Sequence, residues 1–316
     1  MVKMQSRFRR KSKGRRIDGV LVLNKSPGVT SNGALQEVKR LYRAAKAGHT
    51  GSLDPLATGV LPLCFGEATR FSQFLLEADK HYRARIRLGV ATTTGDSEGE
   101  VIAEKPVPEL KSGQIEDVLK NFRGEIEQIP SMYSALKVGG EPLYKLARQG
   151  IEVEREKRKV KIYNLELLEQ KENELYVDVR CSKGTYIRSL AEDIGTLLNT
   201  GGHVTELERL SSGPFSLEDS VTVDELKDTF ARDGMEALDQ YLKPCCTAVD
   251  GLPFVEMTPL TASYLRQGQA VQLPGAPTEG WVRLYVDEEQ EEKQFIGVGE
   301  VMDDGRIAPR RLLSSS

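Results

Sequence analysis

Residues 48–62 constrain this chain more than any other stretch. They read Gly48-His49-Thr50-Gly51-Ser52-Leu53-Asp54-Pro55-Leu56-Ala57-Thr58-Gly59-Val60-Leu61-Pro62. Three glycines and two prolines surround a single acid, Asp54, and the apolar residues follow neither a helical nor a strand period. Gly48, Gly51 and Gly59 permit backbone angles closed to other residues. Pro55 drives Asp54 out of the helical region, which places Asp54 at a bend. Leu53, Leu56, Val60 and Leu61 are apolar enough to anchor the loop in a core. The expected product is a stiff loop that presents one carboxylate, with a histidine and hydroxyls beside it. On these residues alone a second reading stands, an Asp-Pro turn whose carboxylate only bonds its own backbone.

With 316 residues, 39% of them hydrophobic and 29% charged, the chain can bury a sizeable core and form two domains. No apolar run approaches the roughly 20 residues that a membrane span requires, and the N-terminus lacks the apolar centre of a secretory signal. The expected location is the cytoplasm. Cys64, Cys181, Cys245 and Cys246 form no C-x-x-C pair, and His49, His81 and His203 are the only histidines. No zinc spacing can be assembled from them, so free thiols and no metal are expected.

Charge is distributed unevenly. Residues 1–16 hold Lys3, Arg7, Arg9, Arg10, Lys11, Lys13, Arg15 and Arg16 without an acid, whereas the whole chain carries −3. The basic tail is expected to be disordered. With the clusters Lys39-Arg40-Arg43-Lys46 and 155–161 it could track phosphates. Read alone, the same runs equally fit solvated surface.

Along the chain, residues 19–23 read as a short buried strand, followed by a turn at Lys25-Ser26-Pro27-Gly28. Thr30 or Ser31 then caps a helix with Leu35, Val38, Leu41 and Tyr42 on one face. Residues 67–76 read as helical. Residues 80–88 alternate as a strand, with Tyr82, Ala84, Ile86 and Leu88 on one face. Residues 89–99 read as a loop, and a helix opens at Ser112 or Gly113. Residues 124–152 have weak periodicity and resemble a protruding arm with a short helix near 143–148. Residues 160–168 and 175–181 read as an antiparallel pair, and Gly184-Thr185-Tyr186 caps a helix beginning at Ile187. Residues 204–210 begin another strand, 215–243 turn acidic and helical, and 244–259 read as a linker. Strands at 281–286 and 295–302, joined by an acidic turn over 287–292, close the chain. The irregular order with hairpins predicts an α+β fold with a mixed, mainly antiparallel central sheet, flanking helices and a small C-terminal β-rich domain.

Asp54, Tyr82 and Arg188 are the residues with a chemical reading, and each also has a plain one. Tyr82 at strand spacing fits a core aromatic, and Arg188 on a helix with an apolar opposite face fits a surface charge. Composition and spacing reach no further than a loop carboxylate in an RNA-binding enzyme.

The segment from Gly48 to Leu61 resembles the catalytic signature of bacterial tRNA pseudouridine-55 synthases, the TruB family. Further resemblances follow in order: Gly66-Glu67-Ala68-Thr69-Arg70, Lys80-His81-Tyr82-Arg83, and Leu88-Gly89 with Thr92, Thr94, Asp96 and Gly99. They continue through residues 128–137, Cys181-Ser182-Lys183-Gly184-Thr185-Tyr186-Ile187-Arg188, and the tail from Gly297 to Leu312, which resembles a PUA-like end. One departure is visible, since the family's Lys-Pro-x-Gly turn is here Lys25-Ser26-Pro27-Gly28, with the proline one place later.

The resemblance implies the pseudouridine synthase fold, divided into a tail over 1–16, a catalytic domain over 17–250 with an RNA-contacting arm over 124–152, and a PUA-like RNA-binding domain over 251–316. It implies isomerisation of uridine 55 in the tRNA T-loop with base flipping, no cofactor and no metal, with the T-arm of tRNA as partner to a monomer. Asp54 would be the catalytic carboxylate, acting as base at C2′ or nucleophile at C1′. Tyr82, Tyr186, Arg188 and Leu207 would form the uracil pocket, with Tyr82 stacking on the base and Arg188 pairing with Asp54. His49, Lys25, Arg70, Lys137 and Lys183 would contact RNA. A different class of function, a non-catalytic tRNA-binding or tRNA-folding protein of the T-arm, uses the same surface without the acid.

Overall fold

The structure, a computed structural model, describes residues 14–134, 136–287 and 293–314. Most of the expected basic tail, and all but Asp287 of the expected acidic turn over 287–292, lie outside the described residues. Arg15 does not continue a loose tail: its amide donates to the Arg43 carbonyl at 2.7 Å and its guanidinium pairs with Asp239 at 2.6 Å.

A mixed sheet carries the molecule. Its strands Gly19–Lys25, Thr58–Phe65, Gly202–Ser212, Lys80–Leu88, Glu174–Cys181, Arg158–Lys171 and Gly124–Gln128 lie side by side in that order. Ala47–His49 and Phe215–Ser216 pair at its side. Every pairing is antiparallel except the short contact of Thr58–Phe65 with Gly202–Ser212, where Glu208 faces Thr58 and Arg209 faces Gly59. The α+β expectation with mainly antiparallel pairing holds.

The alternation in Lys80–Leu88 turns Ala84, Ile86 and Leu88 inward. They pack with Leu23, Leu61, Val177 and Val179 against Leu190 and Ile194 of the helix Ile187–Leu197. The helix Ser31–Leu41 buries Ala34, Leu35 and Val38, and its cap is Thr30, whose hydroxyl accepts from the Gly33 amide at 3.0 Å. Ser31 is thereby released for another task. Cys64 and Cys181 are buried free thiols. Among the described residues no helix is long and apolar enough to cross a membrane.

Three local expectations change. Residues 58–65, read as loop up to Pro62, form a strand buried along nearly its whole length. Burial on both faces removes the alternation by which strands are recognised, and Gly59 and Pro62 hide the rest. Residues 124–128, read as part of the arm, pair with Arg158–Lys171 as a sheet strand. The linker over 244–259 is largely ordered structure, because Ala248 and Val249 are buried and Phe254–Met257 pairs in parallel with Gly280–Val286.

That last pair belongs to a second, four-stranded sheet completed by Gln294–Val301 and Ile307–Leu312. It rests against the segment after Phe65 through aromatic contacts, Phe71 on Phe295 at 5.5 Å and Phe74 edge-on to Trp281 at 5.2 Å. Such pairs contribute about 0.5–1.5 kcal/mol each beyond the area they bury.

Candidate active site

Asp54 opens a tight turn. The Ala57 amide donates to the Asp54 carbonyl at 3.1 Å, with Pro55 in the second position where its fixed φ is favoured. Three braces hold this turn. The Ser31 hydroxyl donates to the Leu53 carbonyl at 3.0 Å and accepts from the Leu53 amide at 2.7 Å. The Pro55 carbonyl accepts from the Gly28 amide at 2.8 Å and from the Lys25 ammonium at 3.1 Å. Arg209 donates to the carbonyls of Val60 at 2.7 Å and Gly51 at 3.0 Å. The Lys25-Ser26-Pro27-Gly28 turn, despite its displaced proline, therefore supplies two donors to the carbonyl next to Asp54.

Gly51 and Gly59 have φ of +86° and +97°, whereas Gly48 is not left-handed and needs no such freedom. At Gly59 a Cβ would also stand 2.3 Å from the Arg209 carbonyl. Gly59→Ala combines left-handed strain with a backbone clash and is expected to destabilise the fold by about 2–4 kcal/mol. A fall in the urea midpoint at unchanged m-value checks this.

The Asp54 carboxylate meets the guanidinium of Arg188. The Nε–Oδ2 separation is 2.9 Å and Nη2 donates to Oδ1 at 3.2 Å, a two-point contact. Arg188 lies in the first turn of its helix, where the macrodipole disfavours a cation. Its side chain is only 5% exposed. Three further oxygens ring the guanidinium: the Thr94 carbonyl at 2.9 Å, the Tyr133 carbonyl at 3.0 Å and Asp96 Oδ2 at 3.4 Å. Asp96, itself buried, is held by the Thr94 hydroxyl and by the Glu98 amide at 3.1 Å.

Asp54 remains 36% exposed at its side chain, open to a ligand. Burial pushes its carboxyl above the usual aspartate value, Arg188 opposes that shift, and Asp96 adds to it. The carboxylate is thus both held and kept basic.

Tyr82 lies half-buried against the core, on the strand neighbouring Gly202–Ser212, and pairs in register with Arg209. Burial raises its phenol pKa, with Arg209 opposing. Leu207 is buried and pairs with Ala84. Tyr186 caps the Arg188 helix, and Gln128 clamps its backbone, accepting from its amide at 3.0 Å and donating to its carbonyl at 3.2 Å. The clamp ties the strand Gly124–Gln128 to the start of that helix.

The expected RNA contacts divide. Lys25 is a correction: it is fully buried, and its ammonium donates to the carbonyls of Ser26, Val29 and Pro55. All three N–H groups are spent on the loop, so none is left for a phosphate. Burial lowers its pKa to about 8, partly countered by Asp54. Arg70 sits at the junction of the two sheets, donating to Glu67 at 2.8 Å and to the Ser314 hydroxyl at 3.0 Å. Lys137 is exposed in a two-residue strand, and Lys183 is half-exposed and paired with Glu77. His49 is partly buried, with Nδ1 buried and without a hydrogen-bond partner among the described residues, and burial lowers its pKa. Among the described residues no group of three His, Cys, Asp or Glu side chains could hold a metal.

Arg209 was not singled out by the sequence reading, although a signal existed. In a strand with period two, Leu207 and Arg209 share a face, so an inward Leu implies an inward arginine.

Comparison with known proteins is consistent along the chain. Residues 39–187 match the model of the TruB family pseudouridylate synthase N-terminal domain, residues 188–250 match the tRNA pseudouridylate synthase B C-terminal domain, and residues 253–313 match the pseudouridine synthase II TruB C-terminal model. The chain is 53% identical over 311 residues to tRNA pseudouridine synthase B of Tolumonas auensis, covering 96% of this chain and 95% of the relative. It is 54% identical over 299 residues to the Coxiella burnetii (strain RSA 493) protein of the same name, covering 95% and 96%. Among solved structures it resembles a chain of a Cbf5-Nop10-Gar1 complex, with TM-score 0.70, 30% identity, and coverage of 90% of this chain and 78% of that one. It also resembles a chain of an H/ACA RNP bound to a substrate RNA containing 2′-deoxyuridine, with TM-score 0.71, 27% identity, and coverage of 94% and 85%.

Proposed function

The chain belongs to the TruB family of pseudouridine synthases, and on that premise we propose the full reading: it isomerises uridine 55 of the tRNA T-loop to pseudouridine, with Asp54 as the carboxylate that drives the reaction. The observation that carries this is the two-point contact between Asp54 and Arg188 in a braced, ligand-accessible turn.

The reaction breaks the N1–C1′ bond, turns the uracil over and rejoins it through C5. The target base first leaves its stack, at roughly a few kcal/mol. Tyr82 receives it, and base–aromatic stacking returns about 1–3 kcal/mol. Leu207 and Tyr186 complete the wall. Asp54 then acts on the sugar, either removing the C2′ proton or attacking C1′. Both routes need an ionised, oriented carboxylate, and Arg188 supplies both conditions. A pure T-arm binder has no use for an acid facing a polyanion, and this separates the two classes of function.

His49, Lys137 and Lys183 contact the T-arm from around the cleft, and the remainder of the 124–152 segment folds against the RNA. Residues 17–250 form the catalytic unit and 251–316 the accessory RNA-binding unit, while the basic tail adds salt-dependent affinity. The protein works as a monomer.

A pH profile tests the role of Asp54. Its carboxyl lies above the ordinary value of 3.8, so the active, ionised form is lost as pH falls through that raised value. The acid limb of kcat/KM is expected to have unit slope and a midpoint above 3.8. A flat profile down to pH 4 would remove Asp54 from the chemistry.

A further inference from the structure

Arg209 heads the large, fully buried side chains of the described residues, at 1% exposure. Among the described residues no carboxylate stands within ion-pair distance of it. Its guanidinium donates to the backbone carbonyls of Val60 and Gly51, and its strand position lies in register with Tyr82. A buried cation without a counter-charge is strongly unfavourable, so its retention beneath a catalytic loop calls for a purpose.

Lys25 and Lys80 are also buried, and Lys80 spends its ammonium on the carbonyls of Leu75, Leu76 and Ala78. Asp54, Asp96, Glu98 and Glu192 lie around Arg188, and Glu98 also acts on Lys25. Arg209 stands apart from that balance as a positive charge that is fixed and sheltered from water, the arrangement that stabilises negative charge arising during a reaction. Both lysines are lowered to about 8, mainly by burial.

We propose that Arg209 is a positioning residue for bond cleavage: from beneath Tyr82 and the Asp54 turn it holds a fixed positive field on the uracil as that base departs. This rests on the function proposed above. When N1–C1′ breaks, the bonding pair leaves with the ring and spreads over N1, O2 and O4. The negative charge is withdrawn when C5 supplies the pair for the new C5–C1′ bond; the C5 proton then passes to solvent and N1 takes up a proton, which leaves the ring neutral. Arg209 is too buried to touch the substrate. It acts through Tyr82, its cross-strand neighbour, and through the loop carbonyls it fixes.

Leaving-group dependence tests this. Single-turnover conversion would be measured with T-arm transcripts carrying uridine or 5-fluorouridine at position 55. Disappearance of the original nucleoside reports cleavage irrespective of the C5 substituent. Fluorine stabilises the departing anion and lessens the need for help from the protein. Arg209→Gln keeps donors for the two carbonyls but removes the charge. It is expected to slow uridine by about 30-fold and 5-fluorouridine by about threefold, with the transcript Kd nearly unchanged. Arg209→Lys retains charge and is expected to slow uridine less than Arg209→Gln does. Should Arg209→Gln fail to fold, Arg209→Lys alone must still show a smaller loss on 5-fluorouridine than on uridine. Equal losses on both substrates, or a loss confined to Kd, would overturn the proposal while leaving the function intact. Absence of wild-type conversion of uridine would instead remove the function itself.

Discussion

Asp54→Asn is expected to lower single-turnover conversion of uridine 55 by at least about 10³-fold while leaving tRNA affinity within a few fold. The side chains are nearly isosteric, so the turn should survive: the Ala57 amide still bonds the residue 54 carbonyl, and Ser31, Gly28 and Arg209 hold backbone rather than the carboxylate. Arg188 keeps the Thr94 and Tyr133 carbonyls and Asp96 as partners. What disappears is the carboxylate proposed to take a proton at C2′ or bond to C1′. Circular dichroism and a filter-binding isotherm on the same preparation separate this from misfolding. A variant retaining a tenth or more of wild-type turnover would deny Asp54 its role.

Arg188→Lys is the second large effect, about 10²–10³-fold in kcat with a much smaller change in Kd. Five oxygens from four residues ring the guanidinium. An ammonium has three donors and no planar fork, so it cannot span both Asp54 oxygens and also reach Thr94, Tyr133 and Asp96. The carboxylate then rotates and loses its main opposition to protonation. The acid limb of the variant should accordingly move to higher pH, an effect that a purely RNA-binding residue would not produce. If kcat held and only Kd rose, Arg188 would belong to the RNA interface.

Much of this was legible in the sequence where the signals are local. The Asp-Pro turn, the strand period that turns Ala84 and Ile86 inward, and the cap at Thr30 are each written within a few residues. The pairing of Asp54 with Arg188 was not, because 134 residues separate them and only the resemblance joined them. Lys25 misled for a physical reason: a lysine after a strand looks free, yet the carbonyls of the turn it precedes consume its donors. Thr58–Phe65 was hidden by burial on both faces, and the inward direction of Arg209 emerged only once its strand was placed beside that of Tyr82.

The most direct measurement is tritium release from T-arm transcripts labelled at C5 of uridine, comparing the native sequence with one carrying cytidine at position 55. The account predicts release approaching one tritium per transcript from the native sequence and none from the cytidine variant, because only the base turned over at position 55 loses its C5 hydrogen. Equal release from both transcripts would contradict the assigned target, and tight binding with no release from either would make the protein a binder of the T-arm rather than an enzyme.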